Sequence, residues 1–257
     1  MDTLTHDNFC RFLTVQESLS NIHIFETIES TNTTAKDMAR KGAAHGTIVM
    51  AGKQTAGRGR QGRSFFSPPD NGLYISFILH GREDGLLTHL AAVKVCETIE
   101  FLTGRSPSIK WVNDIFLRER KVCGILTEGV VNKSGTWCAV VGIGVNLIVP
   151  AGGFPKELEN IAGAVYRSGS EPQIRNRFAA ELADRMLGHD YDTPKQEILK
   201  EYRRRLMMLL EPIKIIQSDG EFYGTALDIN DAGELVVEKD NKEIVSLKTG
   251  DISIRRQ

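Results

Sequence analysis

Cysteine is scarce in this chain and badly spaced for chemistry. Cys10, Cys96, Cys123 and Cys138 are the only four in 257 residues, and no two stand in a CxxC arrangement, which weakens the zinc and thioredoxin readings. Long apolar runs are missing as well. None approaches the ~20 residues that span a bilayer. The N-terminus, Met1-Asp2-Thr3-Leu4-Thr5-His6-Asp7, is polar and acidic and lacks the apolar centre of a signal peptide. Nor is charge of one sign in excess: 32 Lys and Arg face 33 Asp and Glu, a net charge of -1. No global basic field therefore draws the chain to nucleic acid, and any affinity for phosphate has to be local. His23, His45, His80 and His89 stand in no HExxH or triad-like setting, so they read as structural or exposed. The expectation is a reduced, soluble, cytoplasmic protein without a membrane partner.

What is present is ordinary globular composition, 41% hydrophobic and 25% charged. A chain this long buries roughly three quarters of its unfolded surface, so neither metal nor disulfide is needed to hold a core. Residues 25–149 read as a mixed α/β unit. Ser30-Thr31-Asn32 supplies cap side chains to a short helix carrying Ala35, Met38 and Ala39 on one face and stopping at Gly42. Residues 47–51 predict a strand, 73–79 a half-buried strand and 86–102 a helix ending at Gly104. Further strands are expected at 108–112, 122–131 and 136–145. From 172 to 210 the pattern is helical and charged. After Pro212 come four short strands, 213–217, 222–229, 234–238 and 244–247, parted by turn-rich segments such as Ser218-Asp219-Gly220, the texture of a small barrel. The boundary falls near Glu211-Pro212, dividing residues 1–210 from 211–257.

Three segments carry chemistry. Gly57-Arg58-Gly59-Arg60-Gln61-Gly62-Arg63 combines glycines, which let backbone amides form a concave nest, with arginines suited to phosphate or carboxylate. No acid occurs between Asp37 and Asp70, so this region is locally cationic. It is not a Walker A loop, because no GK[ST] follows. Lys110-Trp111-Val112-Asn113-Asp114 ends a strand and leads towards Lys121. Two lysines and one carboxylate there suit anion neutralisation, with the carboxylate available to Mg²⁺ or to an incoming amine. Val141-Gly142-Ile143-Gly144-Val145-Asn146 lacks the third glycine and following helix of a dinucleotide fingerprint. It reads instead as a buried strand whose glycines admit the close approach of a ligand's planar group.

Taken in order, these segments resemble the biotin protein ligases. The match runs through Glu29-Ser30-Thr31-Asn32, then Gln54-Thr55-Ala56 with the Gly57 to Arg63 run, Phe66-Ser67-Pro68, the Lys110 to Asp114 segment, Lys121-Val122-Cys123-Gly124-Ile125-Leu126-Thr127-Glu128, and Gly142-Ile143-Gly144-Val145-Asn146. Two positions depart from the family pattern, Val112 where it usually has proline and Phe65 where it often has tryptophan. The resemblance implies an α+β fold: a mixed-sheet catalytic domain of the class II aminoacyl-tRNA synthetase type, followed by a small SH3-like β-barrel. It also implies a two-step ligase. Biotin and MgATP give biotinyl-5′-AMP, and the biotinyl group then passes to a lysine of a biotin carboxyl carrier protein or the carrier domain of a biotin-dependent carboxylase.

The resemblance also assigns expected roles. Ser30, Thr31, Asn32 and Gln54 serve biotin, as do backbone groups of Gly124 and Ile125. Arg58, Gly59, Arg60 and Arg63 close over the carboxylate and phosphates. Lys121 stands between the reacting carboxylate and the α-phosphate, Lys110 meets ATP phosphates, and Asn113 and Asn146 reach the nucleotide. Asp114 either orients the acceptor lysine or contributes to Mg²⁺ binding. No tightly bound prosthetic group is implied. With 29 residues before Ser30, a helix-turn-helix repressor module is not expected, nor specific DNA binding. A homodimer is left open by an exposed sheet edge. Two rival readings are a lipoate ligase or octanoyl transferase of the same fold, and a non-enzymatic RG-loop nucleic-acid-binding protein.

Overall fold

The computed structural model describes residues 3–14, 21–81, 85–167, 172–217, 220–248 and 250–254. Its main feature is a seven-stranded sheet in the order β1-β2-β3-β7-β6-β5-β4. The strands are β1 (Ile22–Ile28), β2 (Thr47–Gln54), β3 (Gly72–His80), β4 (Ser108–Lys110), β5 (Asp114–Leu117), β6 (Arg120–Val131) and β7 (Trp137–Asn146). Only β1 and β2 pair in parallel; the remaining neighbours are antiparallel. After the short α1 (His6–Cys10), the parallel pair is joined by α2 (Thr31–Arg40), as a crossover requires. Ser30 is the N-cap of α2, its hydroxyl oxygen accepting from Thr33 N at 3.4 Å. Ala35 and Ala39 are buried beneath the helix.

The sheet has two unlike faces. Along β3, Leu73, Ile75, Phe77 and Leu79 point to one side, and along β7 Val141, Ile143 and Val145 do the same. They join the main core with α3 (Leu87–Thr103) and α4 (Ile174–Leu187). The opposite face carries Val49, Ile78 and Val140 under α2. That helix is only ten residues long and leaves the rest of this face uncovered. β3 is thus buried on both faces, not half-buried as its alternation suggests, because β2 and β7 flank it and helices lie on each side. α3 ends at Gly104, which takes the left-handed conformation at φ 65.

The helical tract divides into α4 and α5 (Lys195–Arg205). The small sheet then begins at Pro212, with β8 (Pro212–Gln217), β9 (Gly220–Ile229), β10 (Leu235–Lys239), β11 (Ile244–Leu247) and β12 (Asp251–Ile254) in the order β11-β10-β9-β8-β12. The sequence reading anticipated four of these five strands. It lacked β12, which pairs with β8. Positions 218 and 219 of the expected Ser218-Asp219-Gly220 turn lie outside the described residues. A second miss is β5. The expected 108–112 strand stops at Lys110, and the chain turns through Trp111, Val112 and Asn113 into β5. The Trp111–Val112 peptide is cis.

The two sheets share one apolar core, in which Ile213, Ile215, Leu235 and Val237 belong to the same cluster as Leu86, Trp111 and Tyr202. Polar contacts reinforce the junction. Trp111 Nε1 donates to the Gly233 carbonyl at 3.0 Å, and His89 Nε2 lies 3.0 Å from the same oxygen. Arg203 donates to Asp228 at 2.5 Å and to the Ile229 carbonyl at 2.9 Å. Met208 is fully buried there, whereas Leu210 is 76% exposed.

Candidate active site

The part of the sheet that α2 leaves uncovered forms the floor of a cleft of about 750 Å³, open to solvent. Period-two alternation places Gly142 and Gly144 of β7 on this face, beside Gly124 of β6. Two of these glycines are required by what lies over them. A Cβ on Gly144 would come within 2.5 Å of the Phe65 ring, and one on Gly142 within 2.0 Å of Asn32 Oδ1. In the described structure the planar groups that approach the β7 glycines are thus the protein's own Phe65 and Asn32.

Over the floor lies the Gly57 to Arg63 run, folded as a tight hairpin. Gly59 N donates to Arg63 O at 2.7 Å and Phe65 N to Gly57 O at 2.9 Å. Gln61 adopts φ 54 and Gly62 φ 74 at its tip, the left-handed region that glycine takes at least cost. Two arginines tether the hairpin to the sheet. Arg58 donates to Glu128 Oε2 at 3.1 Å, and Arg60 to Asn113 Oδ1 at 3.1 Å. Asn113 is itself fixed against β6, its Nδ2 donating to Ile125 O at 2.9 Å and its carbonyl accepting from Ile125 N at 3.0 Å. Ile125 therefore uses its own N–H on Asn113.

A polar network lines the wall at the start of α2. Gln54 Oε1 accepts from Thr31 N at 2.8 Å and from Thr31 Oγ1 at 3.2 Å, while Gln54 Nε2 donates to Ser67 Oγ at 2.9 Å. The Ser67 hydroxyl donates to Phe65 O at 3.0 Å. Asn32 donates through Nδ2 to Leu126 O and to Glu128 Oε2, both at 3.1 Å, and its Oδ1 accepts from Ser76 Oγ at 2.7 Å. Both Asn32 N–H groups are used within the protein, so what remains for a ligand there is an acceptor lone pair. The cleft is built as a set of oriented polar groups, the form a small polar ligand selects.

At the other end of the floor Lys121 Nζ lies 2.6 Å from Asp114 Oδ1, with about a quarter of each side chain exposed. This pair belongs to the cleft with Ser30, Thr31, Asn32, Gln54, Arg58, Gly59, Arg60, Arg63, Asn113, Gly124 and Ile125, all of them anticipated from sequence. Lys110 and Asn146 are not among its lining residues. Lys110 stands opposite Asp114 in the β4–β5 ladder, its ammonium 6.0 Å from the Phe116 ring centre. Asn146 ends β7 opposite Gly72, its carbonyl accepting from Val165 N.

Residues to which the sequence reading gave no role are Glu128, Ser76 and Tyr74. Glu128 shares the cleft-side face of β6 with Gly124 and Leu126, an alternation visible in sequence. Ser76 and Tyr74 lie in a run of apolar residues, and only strand pairing shows which side they face. Burial pushes the Tyr74 phenol up, and its hydroxyl donates to Pro68 O at 2.8 Å. Burial also raises the Glu128 carboxyl, but Lys36, Asn32 and Arg58 outweigh it and hold the group below its ordinary value.

A second, open pocket lies between the start of α3, the Trp111–Val112 turn and Gly233–Glu234 of the small sheet. Arg60 and Ile125 line both cavities, so the small sheet borders a space next to the cleft. Among the described residues no group of three or more His, Cys, Asp or Glu side chains is arranged to hold a metal ion. Asp114, the candidate raised from sequence, is paired with Lys121.

A mixed sheet with a cationic glycine-arginine hairpin over a glycine floor, followed by a small antiparallel sheet, is the arrangement of a biotin ligase fold. Residues 24–146 match the biotin/lipoate A/B protein ligase family, and residues 211–255 the biotin protein ligase C terminal domain. The bifunctional ligase/repressor BirA of Bacillus subtilis is 33% identical over 89% of this chain and 72% of its own. The biotin–acetyl-CoA-carboxylase ligase of Mycobacterium tuberculosis is 25% identical over 88% and 87% respectively. The biotin protein ligase from Aquifex aeolicus, solved in complex with biotin and ATP, superposes with a TM-score of 0.75 at 26% identity, covering 92% of this chain and 99% of that one. The chain belongs to the biotin protein ligase family.

Proposed function

We propose that this enzyme activates biotin with MgATP as biotinyl-5′-AMP and transfers the biotinyl group to a lysine of a carrier domain. In the first step a biotin carboxylate oxygen attacks the α-phosphorus and the bond to pyrophosphate breaks. In the second the uncharged lysine amine attacks the acyl carbon, the bond to the phosphate oxygen breaks, AMP leaves and the nitrogen loses a proton. Two anions must meet in the first step, so fixed positive charge at the meeting point lowers the barrier. Mg²⁺ arrives with the nucleotide as part of the substrate.

The observation that carries this reading is the lining of the cleft itself. Arg58, Arg60, Arg63 and Lys121 line the same glycine-floored cleft as the oriented amides of Asn32 and Gln54. In this reading the amide end holds biotin's ureido ring. The arginine hairpin keeps water from the mixed anhydride, and Lys121 sits between carboxylate and α-phosphate. Asp114, already paired with Lys121, orients that ammonium. Lys110 and Asn146 then act from outside the cleft lining, on the phosphates and the nucleoside. Residues 1–210 carry the chemistry, and 211–257 border the second pocket as the appended barrel. The four free cysteines fit a cytoplasmic setting.

The test is mass spectrometry of a biotin carrier domain after incubation with the chain, biotin and MgATP. A single biotinyl addition on one lysine is expected, with stoichiometric AMP. No addition, or modification by lipoate in preference to biotin, would overturn the reading.

A further inference from the structure

Glu128 lies behind the cleft, on β6, where three separate elements meet. Its Oε1 accepts from Lys36 Nζ at 2.7 Å, and its Oε2 accepts both from Asn32 Nδ2 and from Arg58, each at 3.1 Å. Lys36 and Asn32 are four residues apart on α2 and so present one face of that helix to the strand. Arg58 comes from the hairpin over the cleft. The Glu128 side chain is only 18% exposed, whereas that of Arg58 is 43% exposed. Glu128 is therefore the fixed member of the pair, and Arg58 the member it holds.

We propose that Glu128 is a positioning residue for the biotin end of the cleft, acting through Asn32 and Arg58. The inference rests on the functional reading above. Its logic is the direction of hydrogen bonds. A carboxylate can only accept. Together with the Leu126 carbonyl it turns the Asn32 amide so that Nδ2 faces β6 and Oδ1 faces Ser76 and the cleft side of Gly142. The same carboxylate holds the first arginine of the hairpin against the sheet, so the loop is closed from a fixed anchor. Lys36 supplies the charge that keeps this anchor anionic, yet it does not line the cleft. One half-buried negative charge thus helps set the polarity of an amide on the wall and the position of a cation in the roof.

Glu128→Gln keeps the shape but places an N–H₂ where two or three donors converge. One donor pair must then part, and the Asn32 amide keeps only the Leu126 carbonyl to hold Nδ2 towards β6. Loss of a charge-assisted hydrogen bond of this kind commonly shows as about a tenfold change. The expected result is about a tenfold rise in KM for biotin and a comparable acceleration of adenylate release, with kcat for adenylate formation changed less than about threefold.

The experiment uses the full chain as wild type, Glu128→Gln, Arg58→Met and the double variant. It follows biotin-dependent pyrophosphate release and the escape of preformed adenylate, with thermal midpoints alongside. The two substitutions should be far from additive, because each breaks the same contact. Glu128→Asp, which keeps the charge but shortens the reach to Arg58, serves if the glutamine variant does not fold, and should show the same rise in KM. A folded Glu128→Gln with wild-type KM and release, or losses that multiply with those of Arg58→Met, would overturn the proposal. A wild-type chain that binds no biotin would overturn the functional reading and this role with it. Wild-type binding with an unaffected variant overturns the role alone.

Discussion

Lys121 Nζ stands 2.6 Å from Asp114 Oδ1, although the two residues lie at different ladder positions: Asp114 pairs with Gly124, and Lys121 with Phe116 across a register shift. A Cβ on Gly124 would come within 3.3 Å of Lys121 Nζ, so the ammonium lies across the glycine floor with its headgroup held by the carboxylate. A lysine held in this way presents its charge at a fixed point, which is the property an electrostatic catalyst needs.

Replacing that lysine tests its part in the chemistry. Lys121→Ala should slow adenylate formation by a factor of about 10² to 10³, the usual loss when one preorganised charge is removed. The fold should survive, because the pair is partly exposed and such pairs contribute little to stability. Single-turnover pyrophosphate release, with circular dichroism as the folding control, measures this. A folded variant with near-normal release would refute the role.

Arg60 borders both cavities and is tethered to Asn113. Arg60→Gly removes a cation and adds backbone freedom to the hairpin, so ordering the closed loop costs more. Adenylate retention should suffer more than adenylate formation, since Lys121 remains. Incubation with biotin, MgATP and serum albumin should give more biotin on the albumin with the variant than with wild type. Equal labelling and equal adenylate escape would show that Arg60 does not retain the intermediate.

Gly144→Ala places a methyl group 2.5 Å from the Phe65 ring. The ring must move, at a cost of about 1–3 kcal/mol, and the hairpin that follows it loses its seat. In a Phe65→Ala background the same change should cost far less. Denaturant unfolding of the four members of this cycle decides the point, and additive penalties would show that the ring and the glycine are not coupled.

Glu128 provides a pH signature. Its folded carboxyl lies below its ordinary value of 4.5, so the folded state prefers the charged form. Stability from this source is fully present above the unfolded value and is lost as pH falls through the lower, folded one. The stability gap between wild type and Glu128→Gln should be constant near neutrality and close progressively below about pH 4.5. Paired unfolding curves from pH 7 to pH 3 test this, and a gap that widens on acidification would contradict the sign.

The sequence by itself determined which kinds of residue the site uses and most of the elements that carry them. The Gly57 to Arg63 run, the 110–114 segment and the β7 glycines are local patterns, and local patterns survive as text. Helix α2 was legible because its cap and its alanine stripe lie within a dozen residues. Tertiary structure decided what those patterns face. The β7 glycines read as room for a ligand, but pairing with β3 and β6 brings Asn32 and Phe65 onto them from far along the chain. Strand β5 is four residues long and carries no alternation of its own until its neighbours supply one. Glu128 looked like the last letter of a motif. Its meaning comes from Lys36, Asn32 and Arg58, which meet it only because a parallel crossover lays α2 over β6 and a hairpin folds back above both. One-dimensional spacing encodes period and propensity. Which side chains share one carboxylate depends on contacts between residues 70 to 96 positions apart, and only the folded sheet brings them together.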